Sequence, residues 1–242
     1  MKYFIQLVSA CFIVLVPGFA QEVAPDAAVD GKAAVERLVV SDILISRGAV
    51  SVDEFEEMPP TASYRVVARI TNQSDTPAIN PVFHVSLDSS PLDLEGCSSS
   101  MILMPKESRV FCSGGLHTGP ELLKQAKTAI IKLYGDPFSF AGWDQQLKIV
   151  PKLSFKDVTH RKFPKNQMVE VTATFQNDSG FAVAQVMATA VFLDQEGHIT
   201  DAGPIIFRTQ NAESITKVVG FPMPSVKTTD RCVIQIDRFE DK

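Results

Sequence analysis

Two segments of this chain repeat one another, and the repetition constrains the fold more than any other feature. Tyr64-Arg-Val-Val-Ala-Arg-Ile-Thr-Asn72-Gln-Ser74 and Val169-Glu-Val-Thr-Ala-Thr-Phe-Gln-Asn177-Asp-Ser179 both alternate and both end in Asn-x-Ser. In the first, Tyr64, Val66, Ala68 and Ile70 share one face and Arg65, Val67, Arg69 and Thr71 the other. In the second, Val169, Val171, Ala173 and Phe175 oppose Glu170, Thr172, Thr174 and Gln176. A period of two marks a half-buried strand. Asn and Ser side chains bond their own backbone and so mark the turn that follows.

Further counterparts extend the repeat. A second strand closes each copy on Leu-Asp, Val85-Ser-Leu87-Asp88 and Val191-Phe-Leu193-Asp194. Apolar openings at 38–46 and 147–155 correspond, as do closing strands at 129–134 and 232–237. Only 119–127 reads as helix, with Pro120 and Glu121 suited to its first turn. Short strands at this spacing predict an all-β chain of two tandem β-sandwiches, 36–136 and 147–242.

Residues 1–20 have a single cation, Lys2, an apolar run over 7–16, a Pro17-Gly18 break and Gly18-Phe19-Ala20 before Gln21. These are the parts of a secretory signal peptide. The run is shorter than the roughly 20 residues a bilayer core requires. A mature chain starting at Gln21 is therefore expected in the periplasm or the medium, without a transmembrane segment. Residues 21–35 offer little for a core and read as a flexible tether. With 23 Lys and Arg against 28 Asp and Glu, the chain is a poor partner for nucleic acid.

An oxidising compartment favours a Cys97–Cys112 disulfide, both cysteines belonging to the first half. A loop of that length would contribute about 3 kcal/mol through the unfolded state. Cys232 is then left over, in an apolar strand suited to a buried thiol. Between the halves, 137–146 carries Phe138, Phe140 and Trp143. A mobile linker would be polar, so these rings are expected to pack the joint or to anchor a partner.

Asn177-x-Ser179 followed by Val191-Phe192-Leu193-Asp194-Gln-Glu-Gly197 resembles the FxLYD type of immunoglobulin-like domain. Tyr is absent before Asp194, and the first copy, Leu87-Asp88-Ser-Ser-Pro, also lacks the Gly. The resemblance spans about thirty residues of each half. It implies an immunoglobulin-like sandwich used outside the bacterial cytoplasm, and it implies no particular activity.

The sequence contains no nucleophile beside a base and no metal-ligand spacing, and its four histidines are scattered. No enzyme activity, cofactor or metal is expected. Cys97, Met101, Met104, Cys112 and His117 form a soft-ligand set, which makes a metal carrier a minor reading. Asn72-Gln-Ser74 and Asn177-Asp-Ser179 fit the glycosylation pattern, but turn chemistry explains both. Asp88 and Asp194, at strand ends, read as turn caps. Before the two Asn-x-Ser strands the charge reverses: Asp53, Glu54, Glu56 and Glu57 in the first half, His160, Arg161, Lys162 and Lys165 in the second. Oppositely charged loops at equivalent places are candidate docking surfaces, for a protein partner in the cell envelope or for self-association. The functional expectation is an exported, non-catalytic binding or adaptor protein, a structural part of a cell-envelope assembly. A periplasmic pilus-type assembly chaperone is the alternative.

Overall fold

In the computed structural model, which describes residues 37–51, 59–79, 81–98, 101–133, 143–163, 168–208, 216–222 and 231–241, the alternating segments are strands. The first half contains β1 (Leu38–Ser51), β2 (Thr61–Asn72), β3 (Ala78–Ile79), β4 (Val82–Leu87), β5 (Ser90–Ser98), β6 (Ile102–Leu103), β7 (Ser108–Cys112) and β8 (Leu116–Thr118), then helix α1 (Pro120–Gln125) and β9 (Ala129–Leu133). The second half opens with helix α2 (Trp143–Ile149) and a 3-10 turn, Val150–Lys152. It continues with β10 (Leu153–Phe163), β11 (Met168–Asn177), β12 (Val183–Leu193), β13 (Ile199–Arg208), β14 (Thr216–Pro222) and β15 (Arg231–Asp241).

Each half is built on a pair of antiparallel sheets, and the first half has in addition the two-stranded sheet β3-β6. The first has β1-β2-β7, with β8 also on β2, facing β5-β4-β9. The second has β10-β11-β14 facing β13-β12-β15. The chain is thus all-β and sandwich-like, and the strand orders of the halves correspond. Leu38 lies opposite Asn72 and Leu153 opposite Asn177. In both pairs the register slips at an aspartate with positive φ, Asp42 at 50° and Asp157 at 51°. Aspartate tolerates this left-handed conformation better than most residues, which suits it to a bulge.

The expected inward faces are buried. Tyr64, Val66, Ala68 and Ile70 meet Phe83, Val85 and Leu87 in the first core. Val169, Val171 and Phe175 meet Val186, Phe192 and Phe207 in the second. Residues 101–103, at β6, serve both, because alternation turns Met101 and Leu103 into the first core and Ile102 into the second.

One expected strand is corrected. Residues 147–152 are helix and 3-10 turn, and the second sandwich opens at Leu153. Pro151 has no N–H to give to a sheet ladder. Buried Ile149 and Val150, with Leu147 packed against them, enter the second core instead. Gln146 from α2 then closes an edge: its amide accepts from Phe239 N at 3.1 Å and donates to Phe239 O at 2.7 Å on β15.

The two Asn-x-Ser segments are Asx turns. Ser74 N and Oγ donate to Asn72 Oδ1 at 3.0 and 2.7 Å, and Ser179 N and Oγ donate to Asn177 Oδ1 at 3.0 and 2.5 Å. Asn72 is fully buried and its Nδ2 also donates to the carbonyls of Thr76, Leu103 and Met104. That amide is committed to the fold.

Candidate functional site

The halves meet through sheet faces. The outer face of β1-β2-β7, which an isolated sandwich would turn to water, lies against β13-β12-β15. Val67, Val110, Val191, Leu193 and Ala202 form a third buried cluster there, with Leu44, Cys112, Ile199 and Val233 packed on it. The four sheets therefore stack as successive layers, with a core in each gap. Fully burying a Val or Leu contributes roughly 1.5–3 kcal/mol, so this seam is a substantial part of the fold.

Charged side chains cross the seam beside the apolar cluster. Arg65 on β2 reaches Asp201 on β13, Nη2 to Oδ2 at 3.2 Å, and Ser46 on β1 donates to the same oxygen at 2.9 Å. Ala202 N donates to Asp201 Oδ1 at 2.7 Å. Burial pushes the Asp201 carboxyl up from its ordinary range, and the Arg65 charge with the bonds from Ala202 and Ser46 offsets only part of that. Desolvation wins over pairing at this site.

A second carboxyl lies further along. Asp237 on β15 accepts from Thr189 Oγ1 on β12 at 2.8 Å, and its Oδ1 is 3.9 Å from Arg109 Nη1 on β7. Arg109 spends its hydrogen bonds elsewhere, on Glu107 Oε1 at 2.8 Å and on the carbonyl of Ile236. Gln235 completes the crossing. Its Oε1 accepts from Val110 N at 3.0 Å and its Nε2 donates to Val110 O at 3.3 Å. The amide thereby closes the outward edge of β7, which would otherwise invite a foreign strand.

Two thiols lie in these layers. Cys112 turns toward the second half, with Sγ 3.5 Å from Ala202 O. It is a free thiol, so the expected Cys97–Cys112 bridge is not formed in the structure. Cys97 belongs to the other sheet of the first half, opposite Phe83 on β4. Cys232 is a buried free thiol in the second core, as its strand suggested. Burial raises Cys112 to about 11 and Cys232 to about 12. Neither supplies an appreciable thiolate at neutral pH.

The charged segments read as docking loops are placed differently. His160, Arg161 and Lys162 lie within β10, paired with Val171, Glu170 and Val169, because the β10–β11 ladder runs on to Phe163 opposite Met168. The His160 ring turns inward, edge-on to Phe192 at 6.0 Å between centroids, while Arg161 is exposed. Lys165, the acidic residues 53–57, residues 1–35, Phe138 and Phe140, and the side chains of Cys97, Trp143 and Lys162 lie outside the described residues. Complementary charge does join two surfaces, but its described instances are Arg65, Arg109, Asp201 and Asp237 within one chain. The signal for this seam was Val67 interrupting a polar face and single aspartates interrupting apolar strands.

The described soft-ligand candidates are not gathered. Met101 is in the first core, Met104 packs on the second, Cys112 is in the seam and His117 is exposed on β8. A different trio is gathered, Asp194, Glu196 and His198, whose ligand atoms lie within 4.8 Å of one another. It belongs to the β12–β13 hairpin, where Gly197 N donates to Asp194 O at 3.2 Å and Gly197 takes φ +87°. Only glycine adopts that φ without cost, as a type I turn with a bulge requires. Slight burial works to raise Asp194, but bonds from the His198 backbone and ring and from Gly197 hold it below its ordinary value. Asp194 is thus a turn cap, whereas the Asp88 Oδ1 accepts from Lys127 N at 3.0 Å, tying its turn to the segment after α1.

Among the described residues no helix is long and apolar enough to cross a membrane. Comparison of the chain with protein-family models, curated proteins and solved structures finds no match.

Proposed function

We propose that the chain is an exported, non-catalytic binding or adaptor protein, made of two duplicated immunoglobulin-like sandwiches of the FxLYD type and serving as a structural part of a bacterial cell-envelope assembly. The observation that carries this reading is the seam. Arg65, Arg109, Asp201 and Asp237, charged side chains from both halves, are held between two sheets and engaged in joining them. Side chains committed in this way act as architecture. What the described chain offers a partner is a stacked body with strand edges and sheet faces, the surfaces by which sandwiches recognise proteins.

The corresponding strand orders and the paired aspartate bulges support duplication. The outer side of β10 and β11, with Arg161 at its end, is the surface proposed for the partner. A pilus-type chaperone is less well supported, since it requires an open cleft between its sandwiches, and the described seam is filled with valines and ion pairs.

Site-specific photo-crosslinking of the tagged full chain in its native cell, from Glu170, Thr174 and Arg161, tests the reading. The expected result is one defined envelope protein attached from these positions and not from His117 in the first half, in cells where the chain begins at Gln21. A chain retained in the cytoplasm, or one that crosslinks to nothing from any of these positions, contradicts it.

A further inference from the structure

Asp237 is the least well accommodated charged group in the seam. It is 6% exposed, only one of its carboxyl oxygens accepts a hydrogen bond from a described residue, and the other faces Arg109 across 3.9 Å. The groups around it are the Thr189 hydroxyl from β12 and the Arg109 guanidinium from β7, itself tied to Glu107. The neutral Cys112 thiol is within electrostatic reach of Asp237, Asp201 and Arg65 alike, and Arg238 is on the same strand as Asp237. Arg238 contacts Met187 Sδ through Nε and lies 4.0 Å from Glu240, and its charge still favours an ionised Asp237. Removing an ionised carboxyl from water is costly unless both oxygens are well bonded. A neutral carboxyl in this place satisfies the same Thr189 bond without that cost.

We propose that the seam is an acid-tightened joint, in which Asp237 takes up a proton as the pH falls from about 8 toward 5 and the two halves hold together more firmly. Burial raises this carboxyl to about 7, against the opposing influence of Thr189, Arg109 and Arg238. The sign follows from linkage. The folded form prefers the proton and the unfolded form, near 3.8, does not. The stabilisation is complete below 3.8 and is lost as pH rises through about 7. Within that window unfolding releases a proton, so the unfolding constant rises about tenfold per pH unit on account of this group. Asp201 is raised by burial as well and acts in the same direction, so a variant is needed to isolate Asp237. An exported protein meets a less buffered medium than a cytoplasmic one, and a joint with this response would be firmest in acid.

The test is the ratio of wild-type to Asp237→Asn unfolding constants in urea across the same range, with amide exchange of Val110, bonded across the seam to Gln235, followed in parallel after correction for intrinsic rates. The ratio is expected to rise close to tenfold per unit near pH 6 and to level off above about pH 7. Val110 protection should fall over the same interval more steeply in the wild type than in the variant, where only Asp201 still contributes. A constant ratio, or Val110 protection that does not follow it, overturns the proposal. Should Asp237→Asn fail to fold, the carboxyl carbon resonance of Asp237 in the wild type decides: a midpoint near 7 supports the joint and one near 3.8 refutes it.

Discussion

Strands β2 and β11 occupy the same place in their sandwiches, yet their outer faces meet different surroundings. On β2 that face carries Arg65, Val67, Arg69 and Thr71. Val67 is fully buried and Arg65 is paired across the seam. On β11 it carries Glu170, Thr172, Thr174 and Gln176, all partly open to water. The inner faces of the same strands are interchangeable in character and equally buried. The difference teaches that the inner face makes a sandwich and the outer face decides what the sandwich stands against. One valine among polar residues marks the face that is covered, and four polar residues mark a face that ends the stack. Terminal layers of stacked repeats are polar for the same reason.

The sharpest way to break this comparison is to place one lysine on each face. Val67→Lys puts an unpaired cation in the seam beside Arg65 and should cost at least about 3 kcal/mol in urea unfolding. Thr172→Lys should change stability by less than about 0.5 kcal/mol. Equal effects would mean that the seam does not form. The turns give a second contrast. Asn72→Ala removes a fully buried amide that donates to the Thr76, Leu103 and Met104 carbonyls and accepts from Ser74, and should cost about 2 kcal/mol, whereas Asn177→Ala at the more open turn should cost about half as much.

Smaller effects sharpen the picture. Gln235→Ala removes two bonds to the β7 edge and should cost about 1 kcal/mol, with faster exchange at the Val110 amide as the direct signature. At the paired bulges glycine suits the positive φ as well as aspartate does. Asp157→Gly should be nearly neutral, while Asp42→Gly loses the half-exposed pair with Arg69 and should cost about 0.5 kcal/mol. Matched thermal melts of the two variants measure that difference.

The strands and their inward faces were legible because period two is a local signal, and alternation runs unbroken through 169–176 and through 64–71 with Val67 as its one apolar outward residue. The helix at 120–125 was legible from Pro120 and Glu121. Residues 147–152 misled because Leu147, Ile149 and Val150 make an apolar run that periodicity cannot assign between strand and helix, and only Pro151 argued against the strand. His160 to Lys162 were read as loop because their charges resemble a solvated turn, whereas the ladder with β11 carries them on. The seam was the least legible part. Arg65 and Asp201 come from distant strands in different halves, and nothing local in either segment names the other. Cys112 shows the same limit. Its distance along the chain from Cys97 suits a bridge, but its side chain belongs to a sheet face that looks toward the other half.

A double-mutant cycle on Arg65 and Asp201 tests most directly whether the outer face of β2 is closed by the second half. Urea unfolding of the wild type, Arg65→Ala, Asp201→Ala and the double variant gives the interaction between the two side chains. A face-to-face seam predicts a coupling of about 2 kcal/mol, the double variant being less destabilised than the two single losses added together. Losses that add to within about 0.5 kcal/mol would show that the two residues do not meet, and the stacked architecture would be contradicted.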